Sequence, residues 1–246
     1  MKNLTICLLI LSIISFTNGH GYGVGDLMSR QIKCTTSPSF SIWWPEDGTG
    51  IANLACRAAY QHVATKTGSA DAARYQFVQK NEYSVLIPNY AAGYSALTAA
   101  VPDSLCSAHA VNNAVQFGDK SGMSIPNNWL LNTITVPSTS TASKDVVFEF
   151  CATAAHNPSF WEFYVTNSGF NIQTSNLTWS DLTLIHSTGD NLPVTNTNAN
   201  CEASKAYKIP ITLPARYQGA TLLVRWQRVD PVGECFINCS DFIFSV

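Results

Sequence analysis

From residue 125 onward the chain reads as a succession of short β-segments cut apart by turn clusters. No other feature limits the fold as much. Thr133 to Val136, Asp145 to Thr153, Trp161 to Thr166, Thr183 to His186, Tyr207 to Leu213, Ala220 to Val229 and Phe242 to Val246 are rich in β-branched and aromatic residues. Pro137 to Ser143 and Thr188 to Asn200 are turn-forming stretches between them. Val147, Glu149 and Cys151 alternate against Phe148, Phe150 and Ala152, the pattern of a sheet with one face on a core. Short strands at this spacing predict an all-β, immunoglobulin/fibronectin-like β-sandwich.

The earlier part of the chain is less regular. Residues 20–60 are rich in Gly, Ser, Thr and Pro and read as loop with short strands. Leu54 to Val63 has helical propensity and would carry Cys56 and Tyr60 on a short helix. Tyr83 to Ile87 reads as a strand stopped by Pro88-Asn89. The sandwich is therefore expected to hold a loop and short-helix insertion after its first strand. Trp43-Trp44-Pro45 is either packing under a loop or an aromatic binding platform. With no linker, repeat or second compositional block, residues 20–246 are expected to form a single domain.

Apolar residues make up 46% of the 246 and charged residues 12%, enough for a substantial core. A formal net charge of −2 argues against a nucleic-acid partner and against attraction to anionic membranes. Residues 1–19 have the three parts of a signal peptide: Lys2, an apolar run from Leu4 to Phe16, and the small residues Thr17 and Gly19 at −3 and −1. The alternative, a membrane anchor, suffers from a run of only about 13 residues, where roughly 20 are needed. A secreted, extracellular protein is expected.

Secretion makes the cysteines candidates for disulfides. Of 8 in the chain, Cys7 leaves with the leader, so Cys34, Cys56, Cys106, Cys151, Cys201, Cys235 and Cys239 cannot all pair among themselves. There is no CxxC or HExxH for zinc, and Gly93-Tyr94-Ser95-Ala96-Leu97 lacks the second glycine of a nucleophile elbow. Cleavage after Gly19 would instead expose His20 with a free α-amine. Such a residue chelates one metal ion through its amine and Nδ1, and a second imidazole would complete a three-nitrogen set of the kind copper(II) favours. An α-amine with a reference pKa near 8 gives up its proton to a metal readily at neutral pH.

Several stretches together carry a family resemblance. They are HGYGVGDLMSRQIKC from His20, Leu105-Cys106-Ser107-Ala108, and Ala154-Ala155-His156 followed by Trp161 and Phe163-Tyr164-Val165-Thr166. Trp179-Ser180-Asp181-Leu182, Trp226-Gln227-Arg228 and Glu234 to Asp241 complete the set. In this order they resemble the lytic polysaccharide monooxygenases of auxiliary activity family ten, the chitin-binding type-4 domains, spindolin/fusolin-like members included. The chain departs from the family pattern by a one-residue insertion near the start, by lacking the proline before Ser29-Arg30, and by His109 in place of a glycine.

The resemblance implies a histidine brace of His20 and His156 holding one copper ion, with Phe236 on its axial side and Ala154 crowding the other. It implies Glu234 as an acid that positions oxygen species or passes protons, and Tyr60 as a surface aromatic touching polysaccharide. It further implies bridges Cys34–Cys56 and Cys106–Cys239, leaving the pairing of Cys151, Cys201 and Cys235 open. His109 has either a structural or surface role or a place near the copper face, while His62 and His186 read as incidental. Asn176-Leu177-Thr178 is an acceptor sequence for glycosylation at Asn176. The implied activity is oxidative cleavage of crystalline chitin by a monomer, using an external reductant and O2 or H2O2. Cellulose as substrate, and a non-catalytic chitin-binding protein, are the alternatives.

Overall fold

Strand β1 (His20–Val24) opens the described chain, and the helical insertion follows it: α1 (Arg30–Thr35), α2 (Leu54–Thr67), α3 (Ala70–Val78), strand β2 (Ser84–Leu86) and α4 (Tyr94–Ala100). The rest is β: β3 (Asn132–Thr135), β4 (Ser143–Ala154), β5 (Ser159–Thr166), β6 (Leu182–Thr188), β7 (Val194–Thr195), β8 (Lys205–Pro214), β9 (Ala220–Arg228) and β10 (Glu234–Ser245). This computed structural model describes residues 20–36, 45–114 and 116–246. The leader and Trp43-Trp44 lie outside the described residues.

Two sheets face each other in the expected β-sandwich. One has the order β1-β4-β8-β7; the other runs β2-β10-β9-β5-β6, with β3 added parallel to β10. The alternation read from β4 is realised. Phe148, Phe150 and Ala152 point into the core, whereas Val147 is half exposed. Cys151, on the opposite face, is buried by its bridge to Cys201. Aromatic rings fill the space between the sheets: Trp161 and Trp226 stack at 5.5 Å and Phe150 meets Trp161 edge-on at 5.1 Å. Burying rings of this size contributes most of the apolar stabilisation of such a core.

The insertion builds a second core of its own. Asn53 caps α2 by accepting the Cys56 N–H, and Gly68, at φ 68°, ends it. Ser69 then caps α3. Ala59, Val63, Phe77 and Met123 pack between these helices, and Cys34–Cys56 ties α1 to α2. A buried bidentate pair fastens this unit to the sandwich: Arg30 reaches Asp241 on β10 at 2.6 and 2.8 Å, and its guanidinium lies 4.6 Å from the Trp129 ring centroid. Cys106–Cys239 bonds the 105–107 turn to the same strand. The Ser29-Arg30 and Ser240-Asp241 stretches thus meet; Ser240 also donates to the Leu27 carbonyl at 2.7 Å.

Several elements differ from the sequence expectation. β10 begins at Glu234, not at Phe242, because it runs through the middle of its sheet and is buried on both faces. Its polar residues break the apolar alternation, and several find tertiary partners that no local pattern reveals: Glu234 with Arg228, Asn238 with Gln31, Asp241 with Arg30. Residues 20–60 carry β1 and the start of the expected helix at Leu54, but also α1, which is not among the expected elements. Helices α3 and α4 lie in a region with no helix expectation, although Ser69 followed by Ala-Asp-Ala-Ala is an ordinary N-terminal helix signal.

Candidate metal centre

His20 and Gly21 pair with the end of β4, His20 opposite Ala154 and Gly21 opposite Ala152, with a register shift between the two. Glycine is required at the second position. A Cβ on Gly21 would lie 2.1 Å from Cε1 of Phe150 and 2.4 Å from the Cys151 carbonyl. The Gly21 N–H donates to Asn81 O at 2.9 Å, which lays the turn after α3 against β1. The carboxylate of the next residue, Glu82, comes within 3.4 Å of His20 Nε2, a buried nitrogen that makes no aligned hydrogen bond.

His156 lies two residues beyond the end of β4, in the turn leading to β5. Tyr207 of β8 holds that turn: its hydroxyl accepts the His156 N–H at 3.2 Å and donates to Asn157 Oδ1 at 3.1 Å. Burial pushes the Tyr207 hydroxyl up to about 12, so it remains a donor across the physiological range. Asp190 clamps the far side by accepting the Ser159 N–H at 2.8 Å.

Beneath His156 sits Arg228, 3% exposed. Its guanidinium lies 2.6 Å from Glu234 Oε2, 2.6 Å from Asp230 Oδ2 and 2.9 Å from His156 Nε2. Burial first, and then the Arg228 charge, hold the His156 imidazole below its ordinary range against the pull of Asp230. The ring is therefore neutral at neutral pH, accepts from Arg228 through Nε2, and leaves Nδ1 buried without a hydrogen-bonding partner. Glu234 is seated by Gly233 (φ +64°), where a Cβ would strike the Ile87 carbonyl at 2.2 Å. Phe236 is fully buried, stacks near Trp226 at 5.0 Å, and meets the His20 ring edge-on at 6.4 Å.

The expected residues His20, His156, Phe236, Glu234 and Ala154 thus collect at one end of the two sheets. Tyr60 requires a correction. It is fully buried in the helical core, parallel to Phe77 at 6.3 Å, with its hydroxyl donating to the Glu46 carbonyl at 2.7 Å. Its ring offers no face to a polymer, because α2 turns it inward against α3. Asn176 is exposed. His109, at φ 56°, pairs with Asp103 at 2.8 Å; His62 faces Ser121 at 3.2 Å; His186 packs on Phe163 at 5.7 Å. Cys151 bonds Cys201, and Cys235 is left unbridged and buried. Sequence reasoning misses Glu82 and Asp230, which no spacing links to either histidine. Arg228 does fall within a family-like stretch.

A cleft of about 610 Å³ runs along Thr133 to Thr135 and Lys144 to Val147, and none of these site residues lines it. Two imidazoles, each with a buried nitrogen that makes no hydrogen bond, beside an apolar ring fit a nitrogen-ligated metal ion. Among the described residues no group of three or more His, Cys, Asp or Glu could hold a metal ion, so a third donor would have to be something other than these side chains.

The chain is similar to known proteins over most of its length. A family profile described as "Lytic polysaccharide mono-oxygenase, cellulose-degrading" matches residues 20–242. The chain is 40% identical to the spindolin of Heliothis armigera entomopoxvirus over 250 residues, covering 97% of this chain and 70% of that protein. It superposes on an entomopoxvirus fusolin solved in complex with zinc with a TM-score of 0.85, at 38% identity, covering 92% of this chain and 76% of the other. A lytic polysaccharide monooxygenase described as important for efficient utilization of chitin in Cellvibrio japonicus gives a TM-score of 0.60 at 25% identity, covering 92% of this chain and all of its own. With the match running from His20 nearly to the end of β10, the chain belongs to the lytic polysaccharide monooxygenases of auxiliary activity family ten.

Proposed function

We propose that this is a secreted, monomeric, copper-dependent monooxygenase that cleaves glycosidic bonds in crystalline chitin. The observation that carries the reading is the meeting of His20, His156 and Phe236 at one end of the sandwich, in a chain of this family. Removal of residues 1–19 would free the His20 α-amine, the third nitrogen that the two imidazoles lack. When bound, copper supplies the one-electron redox chemistry that, with an external reductant and O2 or H2O2, oxidises a glycosidic C–H bond.

The chain's own residues prepare the site for that ion. His20 and His156 would provide nitrogen donors; the depressed basicity of His156 keeps its ring neutral at neutral pH, and ligation would take the lone pair that Arg228 engages in this structure. Phe236 covers the ring edge of His20 with carbon, excluding water and further donors on that side. Ala154, paired opposite His20, is the residue assigned to crowd the other side of the ion. Glu234, fixed by Arg228, is the acid assigned to proton handling.

Chitin is preferred over cellulose because the Cellvibrio japonicus relative is described by its importance in chitin utilization. The cellulose-degrading description of the family keeps cellulose as the alternative. A non-catalytic binding role is the second reading, favoured by the similarity to fusolin, which is described through its crystallization into viral spindles. Copper titration of the processed protein is the first test: wild type should bind tightly and His156→Ala should not, and equal affinities would reject the assignment. Incubation with reductant and each polymer, read by mass spectrometry, should yield oxidised chitin oligosaccharides. Products from cellulose alone would overturn the substrate, and adherence to chitin without products would favour the binding role.

A further inference from the structure

The end of the sandwich away from the histidines carries two adjoining clefts, of about 290 and 330 Å³. They lie among three connections: the stretch before β3, the loop from β5 to β6 and the turn from β8 to β9. Strand β9 starts at these clefts and ends at Arg228 beneath His156, so its 9 residues put about 25 Å between the two places. The loop that shapes the clefts is held in position. Asn167 donates through its side chain to Ser180 O at 3.0 Å and accepts from the Thr183 hydroxyl at 2.6 Å. The carbonyl of the buried Ile172 accepts the Asn127 N–H at 3.0 Å. Gly169 turns the chain at φ 89°, a conformation suited to glycine, and the half-buried Phe170 beside it lines both clefts.

The lining decides what the clefts can hold. Among the residues that line them, Arg216 is the one charged side chain, and its guanidinium is turned to backbone carbonyls: Thr166 O at 3.0 and 3.2 Å and Ala215 O at 2.9 Å. Polar groups come from the amides of Asn128, Asn171, Gln173 and Gln218. Gln173 Nε2 donates to Asn128 Oδ1 at 3.2 Å, and Asn171 Oδ1 accepts the Gln173 N–H at 2.9 Å. These bonds set the three side chains together and leave the amide groups of Asn128 and Asn171 free to donate and that of Gln173 free to accept. The Gln218 amide is open at both ends among the described residues. Open amides donate to and accept from hydroxyls, and an aromatic side chain offers apolar area to the C–H face of a sugar ring. A charged ligand would find no free opposite charge here and would lose its water without compensation. The 610 Å³ cleft differs in this respect, with Asp26, Lys144, Asp145 and Glu149 along it. We propose that the paired clefts are a second, non-catalytic site that takes a neutral oligosaccharide against Phe170 and Gln218. The proposal does not rest on the metal ligands.

Calorimetric titration and NMR of the side-chain amides test this on the processed protein without added metal. The probes are the tetramer of N-acetylglucosamine, cellotetraose and a sulfated tetrasaccharide. A neutral tetramer should shift the NH2 resonances of Gln218 and Asn171. Phe170→Ala should weaken its binding about 10-fold and Gln218→Ala about 2- to 10-fold. Gln218 is exposed, so its variant should keep the wild-type thermal midpoint and decides the matter if Phe170→Ala loosens the loop. His156→Ala should bind as wild type does at this end, which separates the site from the metal centre. Binding of either neutral tetramer here supports the site, and the stronger of the two identifies its sugar. No shift of these amides at millimolar sugar, shifts confined to the surroundings of His20 and His156, unchanged affinity in the folded variants, or a preference for the sulfated sugar would each overturn it. Loss of copper binding or of polymer cleavage bears on the metal centre alone.

Discussion

Arg228 Nη1 and Glu234 Oε2 stand 2.6 Å apart across the turn from β9 to β10, with neither side chain more than 3% exposed. Removing one member of such a pair strands the other charge in a poorly solvated place. Glu234→Ala should therefore lower stability by about 3 kcal/mol, the low end of the usual range, since Asp230 still meets Arg228. Replacing both with apolar residues should cost less than either single change. Urea denaturation of the four proteins measures this. A Glu234→Ala midpoint equal to wild type would mean that the pair contributes nothing.

Tyr60→Ala should behave as a core mutation, losing about 3–5 kcal/mol of stability. Tyr60→Phe, which forfeits only the bond to the Glu46 carbonyl, should lose about 1 kcal/mol. Folded Tyr60→Phe should adhere to chitin as wild type does. A weakened adherence with unchanged stability would restore the ring to a binding role.

The bridge pattern predicts a thiol count. Native processed protein should resist alkylation, and denaturant should expose one reactive thiol, that of Cys235, whose burial pushes it up to about 11. Cys151→Ser with Cys201→Ser, which opens a 50-residue loop, should cost about 2–5 kcal/mol. Peptide mapping that joined Cys235 to another cysteine would contradict the fold.

Lys120 predicts a pH dependence. Burial pushes its ammonium down to about 8 from 10.5, outweighing the attraction of Glu82. Between these values the unfolded chain holds a proton that the folded one has released, so stability should rise with pH, by up to about 3 kcal/mol. Cys235 acts in the opposite direction above pH 9, because its folded thiol keeps a proton that the unfolded chain loses. The comparison is therefore wild type against Lys120→Met at each pH. Wild type should gain on the variant from pH 8 to 10.5, and a constant difference would mean that Lys120 stays charged in the fold.

The strands of the sandwich are legible because their inward residues alternate and their turns are rich in Gly, Pro and Asn. The start of β10 is not, since a strand buried on both faces carries no alternation, and its polar residues are satisfied across a turn, as Glu234 by Arg228, or from far away in sequence, as Asn238 by Gln31 and Asp241 by Arg30. The same reason separates the site residues. His20 and His156 stand out in the sequence through an expected cleavage point and a flanking motif. Glu82 reaches His20 only through the packing of α3 and the buried Lys120, a relation no window of sequence contains. Tyr60 misleads for a local reason: an aromatic near a motif cysteine says nothing about which side of α2 it occupies.

The pairing of β1 with β4, across the whole helical insertion, also sets when the site can exist. His20 is among the first of these residues to leave the ribosome, yet its strand has no partner until β4 has been made. Phe236 and Glu234 follow only after β9. Pairings this distant in sequence form slowly and late, after more local structure has closed. A nascent or partly secreted chain therefore has two separated histidines and no dyad. A metal ion held between them, as proposed, would mark a chain whose synthesis and folding have both run their course.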